Sequence, residues 1–165
     1  MLSPFRAREK LKLWPSARWR YVMRQVERSA IVPYAAQKMF DLVADVDSYP
    51  AFLPGCTGSR VHRRSDNEVV ASIAVAKGPL KTEFRTRNTL VDGRRIGMEL
   101  EKGPFSELNG SWEFTPLGEQ GCRVALAIRF SFDSRAADML LGPAFEALCN
   151  GLVDAFVSRA REIYA

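Results

Sequence analysis

The chain has 165 residues, of which 47% are apolar and 10% aromatic. That suffices for one domain around one sizeable core, and it excludes a long disordered chain or a second full domain. No uninterrupted apolar run approaches the roughly 18 residues that a membrane-spanning helix requires.

Lys and Arg number 24 against 19 Asp and Glu, and the excess is local. Residues 1–22 hold Arg6, Arg8, Lys10, Lys12, Arg18 and Arg20 against Glu9 alone, and the rest of the chain is balanced. A folded part without net charge has no overall field to steer a polyanion, so no DNA partner is expected. Cys56, Cys122 and Cys149 are odd in number and far apart, which fits neither a disulfide framework nor zinc-ligand spacing. They read as reduced packing residues, with no metal site expected.

The first 22 residues mix basic side chains with Leu2, Phe5, Leu11, Leu13, Trp14 and Trp19, and Pro4 and Pro15 confine any helix to the stretch between them. A membrane-surface anchor and an organelle transit peptide are two functional readings of that composition. The reading adopted is a disordered basic extension over 1–22 preceding a domain over 23–165, with Met23 as an alternative start.

From Gln25 to Val32 the residues alternate as a strand that Pro33 ends, and Ala35 to Ala44 has helical spacing with Met39, Phe40 and Val43 on one side. Val46 to Pro54 is a proline-bounded segment too apolar for a solvated loop. Strand-like runs follow near 57–64, 68–76, 80–91, 94–101, 107–115 and 122–132. Turn residues separate them: Asp66-Asn67, Gly78-Pro79, Asp92-Gly93, Gly103-Pro104 and Gly118 to Gly121. Such short links predict an antiparallel meander, because parallel neighbours need long crossovers.

After Phe132, Asp133 and Ser134 can cap a helix reaching about Tyr164. Leu141, Phe145, Leu148, Leu152, Ala155, Phe156 and Ile163 fall on one stripe at 3.6 spacing. Pro143 predicts a kink there, or a restart with Pro143 as the first residue. The expected fold is α+β: about seven curved antiparallel strands around one long C-terminal helix. A curved sheet offers more concave surface than one helix covers, so an apolar cavity is expected between them.

Two runs, Val32-Pro33-Tyr34-Ala35 and Asp47-Ser48-Tyr49-Pro50-Ala51-Phe52-Leu53-Pro54-Gly55-Cys56-Thr57-Gly58-Ser59-Arg60-Val61, resemble the bacterial RatA and coenzyme Q-binding branch of the START-like superfamily. So do Lys102-Gly103-Pro104-Phe105, Leu108 to Leu117, and the helix Met139 to Tyr164. The likeness covers about residues 23–165, and the extension before it departs from the pattern. The resemblance implies the helix-grip fold and two functions of different class. One is non-enzymatic binding of ubiquinone, or a similar polyprenyl lipid, in support of respiratory electron transport. The other is a toxin that binds the large ribosomal subunit and blocks subunit association.

The residues themselves favour binding over catalysis. His62 is the one histidine and lies in a basic strand end, and no G-x-S-x-G, H-E-x-x-H or P-loop pattern is present. Glu83, Glu99, Glu101 and Glu113 could pair as acid and base, but alternation turns Glu83 and Glu113 to solvent. No catalytic residue and no catalytic cofactor are therefore named. The candidate ligand-binding residues are Phe84, Phe105, Trp112, Phe114, Leu126 and Phe130 from the strands. Phe145, Leu148, Leu152 and Phe156 come from the helix, and Phe52, Leu53 and Pro54 from a lid over Tyr49 to Cys56. Gly110 beside Trp112 reads as room for a ligand or a bulge. The bland alternative for each aromatic is plain core.

Burial of an isoprenoid tail gains about 0.8 kcal/mol per CH₂ relative to water. A bilayer offers the same gain, so extraction must come from headgroup contacts or lid closure. That predicts a chaperone or shuttle in the cytoplasm, peripheral on the inner face of the membrane. For the ribosomal alternative the candidate basic patch is Arg60, Arg63, Arg64, Lys81, Arg85 and Arg87, with Arg123 and Arg129 on the same sheet face.

Overall fold

The computed structural model describes residues 22–164. Apart from Val22, the basic extension lies outside the described residues, and so do the expectations for it. Strand β1 (Arg24–Val32) leads into α1 (Ala36–Ala44), whose Met39, Phe40, Leu42 and Val43 are buried. A 3₁₀ turn (Val46–Ser48) and the one-turn α2 (Tyr49–Phe52) follow, with Pro50 in the first turn, where its missing N–H costs nothing. Strands β2 (Cys56–Arg64), β3 (Glu68–Lys77), β4 (Leu80–Val91), β5 (Arg95–Lys102), β6 (Phe105–Leu117) and β7 (Gly121–Phe132) complete one antiparallel sheet in the order β1-β7-β6-β5-β4-β3-β2. The first and last strands pair, from Arg24↔Phe130 to Val32↔Cys122. This leaves β1 and β2 as the two edges.

The final helices are α3 (Arg135–Asn150) and α4 (Leu152–Tyr164). Ser134 caps α3 by accepting from the Ala137 N–H at 3.0 Å. Pro143 lies inside α3, so the expected restart at that residue is corrected: the break falls at Gly151 instead. The carbonyl that Pro143 leaves unbonded belongs to Met139, which faces solvent, so water can satisfy it. The expected stripe is also shifted. The buried face is Asp138, Gly142, Phe145, Cys149, Val153, Phe156 and Ala160, and Ile163 is 48% exposed. By length and composition the span Arg135–Tyr164 could cross a bilayer, and its buried face packs on the sheet.

α3 touches β1 and β7 on one side and β3 and β4 on the other. Arg24 pins it to the first strand: Nε and Nη2 donate to the two Asp138 oxygens at 2.9 and 3.0 Å, and Nη1 to Glu146 Oε1 at 2.8 Å. A helix straddling a curved seven-stranded sheet in this way leaves its centre partly uncovered.

Candidate functional site

Between the helix and the sheet lies a cavity of about 110 Å³. Leu53 and Pro54 from the segment after α2, Phe84 and Trp112 from the sheet, and Phe145, Leu148, Leu152 and Phe156 from the helix line it. The other sequence candidates sit behind that lining. Phe105 and Phe130 form an aromatic plug with Phe132 and Phe145, with ring centroids 4.7–6.2 Å apart. Phe114 packs against Phe40 and Trp112, and Leu126 is buried opposite Trp112 in the β6–β7 register. Phe52 packs edge-on against Tyr49 and Phe156, under the Arg159 guanidinium 5.1 Å from its ring.

Sequence reading missed the polar part of the lining. Thr86, Asn88 and Asn109 face the cavity together with Tyr49, Cys56, Ile73, Val75, Met98, Leu108, Ile128 and Cys149. Thr86 and Asn88 continue the inward parity of Phe84, so alternation along β4 carried the signal. Thr86 Oγ1 donates to Asn88 Oδ1 at 2.9 Å, and both residues are under 10% exposed. Tyr49 donates to the Val43 carbonyl and thereby ties α2 to α1. Burial raises the Tyr49 hydroxyl and the Cys56 thiol and pushes Cys149 up to about 12, so the lining is uncharged at neutral pH. Such a chamber can hold a small apolar molecule beside the polar groups of Thr86, Asn88 and Asn109.

The reading of Gly110 as room for a ligand is corrected. A Cβ at Gly110 would overlap the Ala127 carbonyl oxygen and come within 3.0 Å of Ile128 Cα. The missing side chain lets β6 and β7 approach, and the space is filled by backbone.

The six candidate basic residues divide into two groups. Arg63 pairs with Glu68 at 3.6 Å, Arg64 with Asp47 at 3.8 Å, and Arg87 with both Glu99 at 2.6 Å and Glu68 at 3.8 Å. Arg60, Lys81 and Arg85 form no ion pair among the described residues. His62 is exposed, and its Nε2 lies 2.7 Å from Ser72 Oγ. Among the described residues no cluster of His, Cys, Asp and Glu could hold a metal ion, and the three cysteines are free.

Residues 32–157 match the family described as polyketide cyclase / dehydrase and lipid transport. The chain is 46% identical over 139 residues to the ribosome association toxin RatA of Pseudomonas aeruginosa, a match covering 84% of this chain and 96% of that one. It is 27% identical over 138 residues to the mitochondrial coenzyme Q-binding protein COQ10 of Drosophila melanogaster, covering 81% of this chain and 57% of that one. Among solved structures, an 18 kDa protein of Caulobacter crescentus is 34% identical with a TM-score of 0.68, covering 86% of this chain and 98% of that chain. The ZhuI aromatase/cyclase from Streptomyces sp. R1128 has a TM-score of 0.75 at 18% identity, covering 85% and 94%; it shares the fold.

Proposed function

The chain belongs to the polyketide cyclase / dehydrase and lipid transport family, in the START-like branch that holds the RatA relatives, and on that premise we propose that it associates with the large ribosomal subunit and opposes subunit joining. The observation that carries this reading is 46% identity along 96% of a protein named for ribosome association. The free cations on the outer sheet face are consistent with it, because RNA affinity comes largely from phosphate contacts. The role is non-enzymatic and places the chain in the cytoplasm with the ribosomes. Sucrose-gradient centrifugation with isolated bacterial subunits tests it. The chain is expected to migrate with large subunits at low salt and to reduce their joining to small subunits. A chain that stays at the top of the gradient at low salt removes the reading.

The cavity favours a second reading, binding of an apolar ligand such as ubiquinone or a related polyprenyl lipid at the membrane surface. Support comes from the apolar lining and from the coenzyme Q-binding relative. The volume ranks it second: about 110 Å³ is well below the roughly 300–1,000 Å³ of ordinary ligand sites, so a quinone requires α2 to swing away. Titration with short-tail ubiquinone, followed by the emission lost in a Trp112→Phe variant, tests it. A saturable change supports carriage, and a flat response with no co-purifying lipid in native mass spectra removes it.

A further inference from the structure

Two β-bulges act on one rung of the outer sheet face. In the β2–β3 pairing the register slips between Val61 and Arg63, and the extra residue is His62, set over Ser72. In the β4–β5 pairing Thr86 faces Leu100, so regular alternation would place Glu101 across from Arg85. The register slips there instead, and Arg85 faces Lys102. Bulges re-aim side chains, and these two produce a single cross-strand row, Arg60–Ser72–Arg85–Lys102.

The row is cationic and unpaired, although Glu83 and Glu101 stand close enough to act on the neighbouring His62. Arg60 and Lys102 are exposed, Arg85 is half-buried, and none of the three forms an ion pair among the described residues. Arg85 Nε lies 3.5 Å from the buried Ser72 hydroxyl, which the His62 ring also contacts. The neighbouring row is the opposite case, with Arg87 held between Glu68 and Glu99. Like charges aligned across strands repel, so this row gains from an anion supplied from outside.

We infer that the Arg60–Arg85–Lys102 row is a seat for the phosphodiester backbone of ribosomal RNA. The inference rests on the ribosome-association reading and gives it a contact surface. Three strand spacings of about 4.8 Å carry the row over roughly 14 Å, which lets one backbone segment meet more than one cation. Arginine forks bind phosphate oxygens in pairs, and lysine adds a point charge. RNA is favoured over a bilayer because surface insertion needs exposed apolar side chains beside the charges. The exposed large apolar residues, such as Ile31, Leu117, Met139 and Leu140, are not in this row.

The test compares the wild-type chain with an Arg60→Gln/Arg85→Gln/Lys102→Gln variant and an Arg63→Gln/Arg87→Gln control, each checked by thermal unfolding. Binding to isolated large subunits is measured by co-sedimentation at stepped salt, and flotation is measured on phosphatidylethanolamine–phosphatidylglycerol vesicles. The triple variant is expected to lose about tenfold or more in affinity, and its salt slope to fall by about two in magnitude, near 0.7 per lost contact. The control is expected to keep the wild-type slope. A triple variant with wild-type affinity and slope overturns the row while leaving the ribosome reading intact. A wild-type chain that binds no subunits, or that floats with vesicles through these three residues instead, overturns both.

Discussion

Leu148 occupies the space that a side chain on Gly55 would need. A Cβ there would stand 2.5 Å from Leu148 Cδ2 and 3.3 Å from the Ala76 carbonyl oxygen. Gly55 has φ +84°, links α2 to β2, and accepts from the Ala76 N–H at 2.8 Å, so it seats the lid segment against both sheet and helix. Leu148 is at once a wall of the cavity and the surface on which the lid rests.

Gly55→Ala is therefore expected to loosen the lid. Left-handed backbone costs a non-glycine residue about 1–2 kcal/mol, and Leu148 must also move. The predicted loss of stability is about 1–3 kcal/mol by urea denaturation, with faster hydrogen exchange over residues 49–56. Unchanged stability and exchange would show that the lid is not seated on this glycine.

The fold was legible because alternation and turn chemistry agreed along most of the chain. Val124, Leu126, Ile128 and Phe130 face inward on β7, and Asp92-Gly93 turns the chain between β4 and β5, as their spacing predicts. The lining was legible only in part. Parity tells which face a residue takes, but not whether the space before it is empty. Phe84 and Phe105 both point inward, yet Phe84 borders the cavity while Phe105 sits in the aromatic plug. Thr86 and Asn88 share the inward parity of Phe84, but short polar side chains on a buried face give no apolar signal in the sequence. The bulges at His62 and Glu101 leave no local composition signal, so the Arg85–Lys102 pairing was beyond reach of alternation.

The Arg24 clamp makes a prediction of reversed sign at Gly142. In an exposed helix Gly→Ala stabilises by about 1 kcal/mol. At Gly142 a Cβ would lie 2.5 Å from Arg24 Nε and 2.7 Å from Cζ, and three hydrogen bonds hold that guanidinium. Gly142→Ala is expected to destabilise by about 1–3 kcal/mol. Arg24→Met is expected to cost about 3 kcal/mol, chiefly by leaving the buried Asp138 unpaired. A rise in the denaturation midpoint of Gly142→Ala would show that the clamp yields easily.

Gly110→Ala is the harsher backbone test. Here the obstructing atoms are the Ala127 carbonyl oxygen and Ile128 Cα, which cannot rotate aside as a long side chain can. The strands must separate, at an expected cost of about 2 kcal/mol or more, with weakened protection of the β6–β7 amides. Retained exchange protection at Ala127 and Ile128 would contradict that account.

His62 supplies the pH-dependent check on the cationic row. Desolvation, then the charges of Arg85 and Arg60, hold its imidazole below the ordinary 6.5, while Glu83 and Glu101 pull the other way. A depressed value means that the folded chain binds this proton less readily than the unfolded one. Its small contribution to stability is thus present above 6.5 and lost as the pH falls through the folded value. Arg85→Gln removes one of the lowering charges, so the titration midpoint followed by NMR should rise toward 6.5. Phosphate on the row should raise it as well, by cancelling the same charges. Binding would then take up a proton and strengthen as the pH falls below 6.5. A midpoint that ignores both Arg85→Gln and added RNA would mean that His62 and the row do not share one electrostatic environment.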